Sequence, residues 1–300
     1  MELTTINTNN YSAMAKAMGM ANEGVKEKKQ TSTLARLRIS HSPIMGEGEV
    51  KGKKVNMEIV SGGTYKLEIP DGATYYAQSA EIRPFLQRFM YKKFVKGSGN
   101  VPNRYIKTVM ADNLNMDLKD NNGGFNCGKP AGWIKDYSSL PDATKELLKS
   151  IKRVRVVLGT VDLKEAVDAE GNAINLEPTP FIWEVENRDA FKTVGGVFSK
   201  LGKMKRLPVQ HTVSLNTEEQ KLPNGNSFYL PVVSLDLSKT VEITKEDEER
   251  FVDYMTWVEN YNEYIISMYN TKVEEKSDAE LDEIDLNDIV EIDTDEMEVA

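Results

Sequence analysis

AEIRPFLQRFMYKKFVKG, Ala80 to Gly97, sets Phe85, Phe89, Tyr91 and Phe94 among Arg83, Arg88, Lys92, Lys93 and Lys96. After Glu81 no acid occurs until Asp112. Two arrangements fit this mixture. In the first, a strand buries its rings in the core and turns its cations to water. In the second, the stretch forms a surface for a single nucleic-acid strand, with cations tracking phosphates and flat rings stacking on bases of any sequence. For any one ring the core is the commoner fate. For the stretch as a whole, so many cations without local acids favour the binding face. NRYIKTVM (Asn103 to Met110) repeats the mixture with Arg104, Tyr105 and Lys107.

On the N-terminal side the pattern is strand-like. LARLRIS, from Leu34, alternates Leu34, Arg36 and Arg38 with Ala35, Leu37 and Ile39, the mark of a half-buried strand. KKVNMEIV and TYKLEI repeat the alternation across the turn Ser61-Gly62-Gly63, and a further turn at Asp71-Gly72 precedes another short strand. Residues 34–77 therefore read as an antiparallel meander, and residues 1–33 as a floppy leader ending in a basic linker.

On the C-terminal side, Asp120 to Tyr137 is a Gly-rich loop carrying Phe125, Lys129 and Trp133, the last a candidate for stacking from a loop. Leu140–Ser150 reads as a short helix. Ile151–Leu163 reads as a β-branched strand with Arg153 and Arg155 on one face. A strand is expected over Pro180–Asn187. Arg188–Arg206 has helical spacing at Phe191, Val194, Phe198 and Leu201, a break at Gly195-Gly196, and a cationic side ending in Lys203, Lys205 and Arg206. LPVQHTVSL and NSFYLPVVSLDL form a hairpin around Asn224-Gly225. Thr244–Asn270 is the clearest helix, N-capped by Thr244, with Phe251, Tyr254, Met255, Val258, Tyr261 and Ile265 as its apolar stripe.

Charge divides the chain. Residues 274–300 hold thirteen acids and one base, a net −12 against −9 for the whole, so residues 1–273 carry +3; with −5 over 241–273, residues 1–240 carry +8. A basic body with an acidic end points to polyanion binding, with solubilisation as the plainer role for the tail.

Much chemistry has no support. No apolar run approaches the roughly 20 residues of a membrane span. Met1 to Tyr11 lacks the order of a secretion signal. A single cysteine, Cys127, leaves no internal disulfide framework and suits a reducing cytoplasm. His41, His211 and Cys127 lack zinc-site spacing. There is no phosphate-cradling glycine motif and no nucleophile signature. No metal, cofactor or catalysis is expected.

LARLRIS, EIRPFLQRFMYKKF, GGFNCGKPAGWIKD, RVRVVLG, PFIWEVENRDAF, MKRLPVQH and LPNGNSFYLPVVSLD together resemble bacteriophage single-stranded DNA-binding proteins of the T7-like and marine-phage type, over about residues 34–240 with the tail beyond. The resemblance implies a mainly β fold: an OB-fold-type antiparallel β-barrel with inserted helices, a C-terminal helix and a disordered acidic tail. The divisions are then 1–33, 34–270 and 271–300. It implies a non-catalytic protein of phage DNA replication, recombination and repair in the host cytoplasm, with no membrane partner and with a homodimer left open. The residues expected to meet DNA are Arg83, Phe85, Arg88, Phe89, Tyr91, Lys92, Lys93, Arg104, Tyr105, Lys107, Lys129, Trp133, Arg153, Arg155, Lys203, Lys205 and Arg206. The tail, through Asp282, Glu283, Asp285, Asp288, Glu291, Asp293, Asp295 and Glu296, is expected to recruit replicative DNA polymerase and helicase-primase and to compete with DNA. Tails of the T7 type end in an aromatic residue, whereas this sequence ends Met297-Glu298-Val299-Ala300. A phage virion or assembly protein and a double-strand-specific DNA-binding factor are the alternatives.

Overall fold

A computed structural model describes residues 34–288 except 51, 52, 71, 100, 131–133, 135 and 224, and describes no side chains at 48–50 and 276–288. Residues 1–33, Trp133, the side chains of Asp282, Glu283, Asp285 and Asp288, and all of Glu291, Asp293, Asp295 and Glu296 lie outside the described residues.

The fold is mainly β, and its long central strand is β6 (Ser79–Val95), which pairs antiparallel with β8 (Ile151–Lys164) along nearly its whole length. Pro84 faces Gly159, and the register shifts between Pro84 and Leu86, so Phe85 is extra on its strand. A bulge of this kind bends and twists the pair. Gly159 is needed there, because a Cβ would stand 2.2 Å from Arg83 O. β8 in turn pairs with β9 (Thr179–Val185). β8 is buried without a break from Val154 to Val161, because both its faces are covered. Val157 and Val161 pack with α2 (Arg188–Lys203), while Val154, Val156 and Leu158 pack with α3 (Lys245–Asp288).

β10 (Val213–Lys221) returns after α2 to pair with the start of β6, and β11 (Ser227–Leu235) pairs with β10. The order β10-β6-β8-β9 is a Greek key, with the fourth strand beside the first. Beyond β9 the sheet continues through β1 (Ala35–Ser40), β4 (Thr64–Glu68) and β5 (Thr74–Ala77). β1 runs parallel to β9, so the sheet is mixed rather than antiparallel. It is also not closed into a barrel: the path runs from β11 to β5 without a ladder between its ends. Side chains bridge the gap instead. Tyr65 donates to Asn216 O (3.0 Å), Thr217 donates to Gly63 O (2.6 Å), and the ring of Tyr229 stacks on His41.

The expected meander over 34–77 forms only in part. β1 pairs with β4, while β2 (Ile44–Val50) and β3 (Lys53–Val60) make a separate two-stranded sheet. β3 is exposed from Lys53 to Glu58, so its alternation buries too little to join the core. β7 (Arg104–Lys107) adds to the far end of β6, and α1 (Asp142–Ser150) precedes β8.

Two helix expectations change. Gly195-Gly196 does not break α2, which is continuous and capped by the Asn187 carboxamide accepting from Asp189 N and Ala190 N. α3 does not stop at Asn270 but runs on to Asp288. Tyr254, Val258 and Ile265 bury its stripe, while Phe251, on the same spacing, stays exposed. Among the described residues no helix is long and apolar enough to cross a membrane.

Candidate nucleic-acid interface

Residues opposite one another in an antiparallel ladder share a face, and neighbours along a strand alternate. The β6–β8 register therefore sorts the aromatic and cationic residues into two groups. Phe89 faces Arg155, Tyr91 faces Arg153 and Lys93 faces Ile151 on the side where α2 lies. Met90 faces Val154 and Lys92 faces Lys152 on the α3 side.

On the α2 side, Phe89 meets Phe191 of α2 with ring centroids 6.0 Å apart. The Arg153 guanidinium carbon stands 5.7 Å from the Phe191 centroid, and the Arg155 carbon lies 4.6 Å from Phe191 and 4.8 Å from Phe89. Lys129 reaches over the Tyr91 ring at 5.9 Å. Burial raises the Tyr91 hydroxyl's pKa, so it remains a neutral donor, here to Leu114 O. Arg153 is exposed, Phe89, Phe191 and Lys93 are half-buried, and Arg155 is buried. Among the described residues no carboxylate pairs with Lys93, Arg153 or Arg155. Burial alone holds the Arg155 guanidinium below its usual pKa range. Cations over ring faces, with edges open to solvent, form a surface on which bases can stack and phosphates can pair.

The α3 side is different. Phe94 and Tyr105 form an exposed ring pair at 5.2 Å, with the Lys92 ammonium 4.7 Å from the Tyr105 centroid. Here the cations are answered. Lys92 binds Glu184 at 2.8 Å and also Glu186, and Lys107 binds Glu184 at 3.2 Å. Burial works against the Glu184 charge, but Lys107 and Lys92 outweigh it and bring its pKa to about 2. Lys92 is likewise opposed by burial, yet Glu184 and Glu186 hold it above the usual lysine value. This cluster is a neutralised internal network, which corrects the expectation for Lys92 and Lys107. Arg104 is exposed at the end of β7, opposite Val95.

Three further expected contacts are structural. Arg83 donates to both Asp247 oxygens (2.8 and 2.9 Å), to Val209 O (2.6 Å) and to Glu242 O (3.1 Å), tying β6 to the start of α3. Phe85, the bulged residue, is buried against Tyr254. Arg88 is bound by Asp112 at 3.0 Å and by Gln87 O. Lys203 and Lys205 are exposed at the end of α2, away from the β6–β8 rings, and Arg206 donates to Leu237 O (2.9 Å).

The structure thus brings together Phe89, Lys93, Arg153 and Arg155, with Lys129 nearby; Tyr91, expected to meet DNA, is instead buried with Ile106, Leu118 and Cys127, so its ring is core. It adds Phe191, which helical spacing alone assigns to the core. The signal that separates Phe191 from Phe198 is its place near the start of α2, where the helix first crosses the β8 arginines. Compared with protein-family models, curated proteins and solved structures, the chain matches none.

Proposed function

We propose that this chain is a non-catalytic single-stranded nucleic-acid-binding protein of OB type, using the α2-side face of β6 and β8. The observation that carries the reading is the uncompensated cation set: Arg153 and Arg155 placed around the Phe89–Phe191 pair, with Lys93 four residues along the same face of β6. The strand order supports it. OB folds are partly open five-stranded Greek-key barrels whose second strand is part of the face that holds oligonucleotides. With β6 as first strand, β8 and β9 are second and third, α2 precedes the fourth, and β10 and β11 complete the order. The β1–β4–β5 extension then occupies the opening between β9 and β11.

In the setting that the resemblance implies, the ligand is single-stranded DNA exposed during phage replication, recombination or repair in the host cytoplasm. The acidic segment beyond residue 273 then competes with DNA for the cationic face and meets polymerase or helicase-primase. Anisotropy of labelled oligo-dT, with unlabelled single- and double-stranded competitors, tests the reading. Competition by the single strand at far lower concentration than by the duplex is expected. Equal competition would favour a double-strand-specific factor, and no binding at low salt would remove the proposal.

A further inference from the structure

Arg155 breaks an ordinary rule of protein interiors. It is only 9% exposed, and its Nε is buried with no acceptor among the described residues. Nη1 donates to the Gln87 carboxamide oxygen. Among the described residues nothing anionic neutralises it; the guanidinium is surrounded by the rings of Phe89, Phe191 and Phe198, the last at 5.9 Å. A buried charge without a partner costs stability that an apolar side chain of similar volume would not. The helix above it makes a second concession. Gly195 lies inside α2, where glycine is a poor helix former. A Cβ at that position would stand 2.4 Å from Arg155 Nη2, so the glycine admits the guanidinium under the helix backbone. Two locally unfavourable choices at one point are the pattern of a functional site rather than of a packing solution.

Resting on the binding face proposed above, we propose that Arg155 is a gated phosphate contact. Phe191 covers the guanidinium when the face is empty. When Phe191 turns outward to stack on a base, it uncovers Arg155, which takes a backbone phosphate of the same strand through Nε and Nη2. Arg153, 5.7 Å from the same ring on its exposed side, holds the strand before the ring moves. Stacking and phosphate capture are thereby coupled. The face prefers a flexible single strand, which can place a splayed base and its phosphate together, over a duplex.

The test uses the full chain, labelled oligo-dT and a salt series, with Arg155→Met, Arg155→Lys and Phe191→Ala. Each neutralised phosphate of a single strand contributes about 0.7 to the slope of log affinity against log salt. Arg155→Met is expected to melt at or above the wild-type temperature, to bind more weakly, and to lose about 0.7 of that slope. Arg155→Lys keeps the slope. Phe191→Ala also keeps it, since the cation is then permanently uncovered, while affinity falls through lost stacking. A wild-type slope in Arg155→Met would overturn the inference, as would a lowered melting temperature, which marks a structural arginine. Loss of slope in Phe191→Ala would overturn the gating. A wild-type chain that binds no oligo-dT is a different result, and removes the proposed function instead.

Discussion

Replacing Asp247 with alanine removes the link between β6 and the first turn of α3, at a cost of about 3 kcal/mol. The carboxylate accepts from Arg83 Nη1 and Nη2 at 2.8 and 2.9 Å and from Thr244 N at 2.9 Å, while Asp247 N donates to Thr244 Oγ1 at 3.2 Å. This is a reciprocal helix cap, and losing such a cap costs about 1 kcal/mol. The variant also strands Arg83. Removing one partner of a fully buried pair costs about 3–5 kcal/mol. Arg83 keeps its bonds to Val209 O and Glu242 O and is 19% exposed at its side chain, which brings the loss to about 2 kcal/mol. At about 2–4 °C per kcal/mol for a domain of this size, Tm falls by about 6–12 °C. Burial opposes the Asp247 charge, but the Thr244 backbone N–H and the Arg83 guanidinium outweigh it and lower its pKa. The stabilisation is therefore complete above the unfolded aspartate value of about 4 and is lost as pH falls through the lower folded value. Circular-dichroism melts should differ most at pH 7 and converge in acid. An Asp247→Ala protein melting within about 1 °C of wild type at pH 7 would refute the assignment of Arg83 to structure rather than to nucleic acid.

Three other outcomes are expected. Gly196→Ala meets open space and should gain about 1 kcal/mol of helix stability, whereas Gly195→Ala meets Arg155 Nη2 and should lose that gain; equal stabilisation in thermal melts would contradict the packing of α2 on Arg155. Burial, with Asp120 adding to it, pushes the Cys127 thiol up to about 12, so native protein at pH 8 should resist a disulfide-exchange reagent and react once unfolded. Reaction of the native protein at the rate of a free thiol would contradict that burial. Deleting residues 289–300 removes five acids and no bases while sparing α3, and should tighten oligo-dT binding at low salt, with the difference fading as salt screens it. Equal affinity at low salt would leave these acids without a competing role.

What the sequence revealed was mostly local. The period-two alternation of Ala35, Leu37 and Ile39, the stripe at Tyr254, Val258 and Ile265, and the Thr244 cap are each set within a few residues, and each is formed. What stayed hidden depends on distant partners. Arg83 reads as a free cation until Asp247, 164 residues away, is beside it, and Lys92 does so until Glu184 on β9 and Glu186 just after it arrive. Pairing of β1 with β4 rather than with β3 follows from how little β3 can bury, which strand pattern alone does not rank. The binding residues were half legible for the same reason. Alternation told that Arg153 and Arg155 share a face, but not that α2 would lay Phe191 over them while acids answered the cations of the other face.

The most direct measurement is the salt dependence of oligo-dT affinity for the full chain, beside a Lys93→Met, Arg153→Met double variant. With Lys93, Arg153 and Arg155 each answering one phosphate, log affinity should fall linearly against log salt with a slope of about −2. The double variant should fold as wild type and keep about one third of that slope. A wild-type slope near zero, or a double variant whose slope equals that of wild type, would contradict the claim that this face binds a single strand.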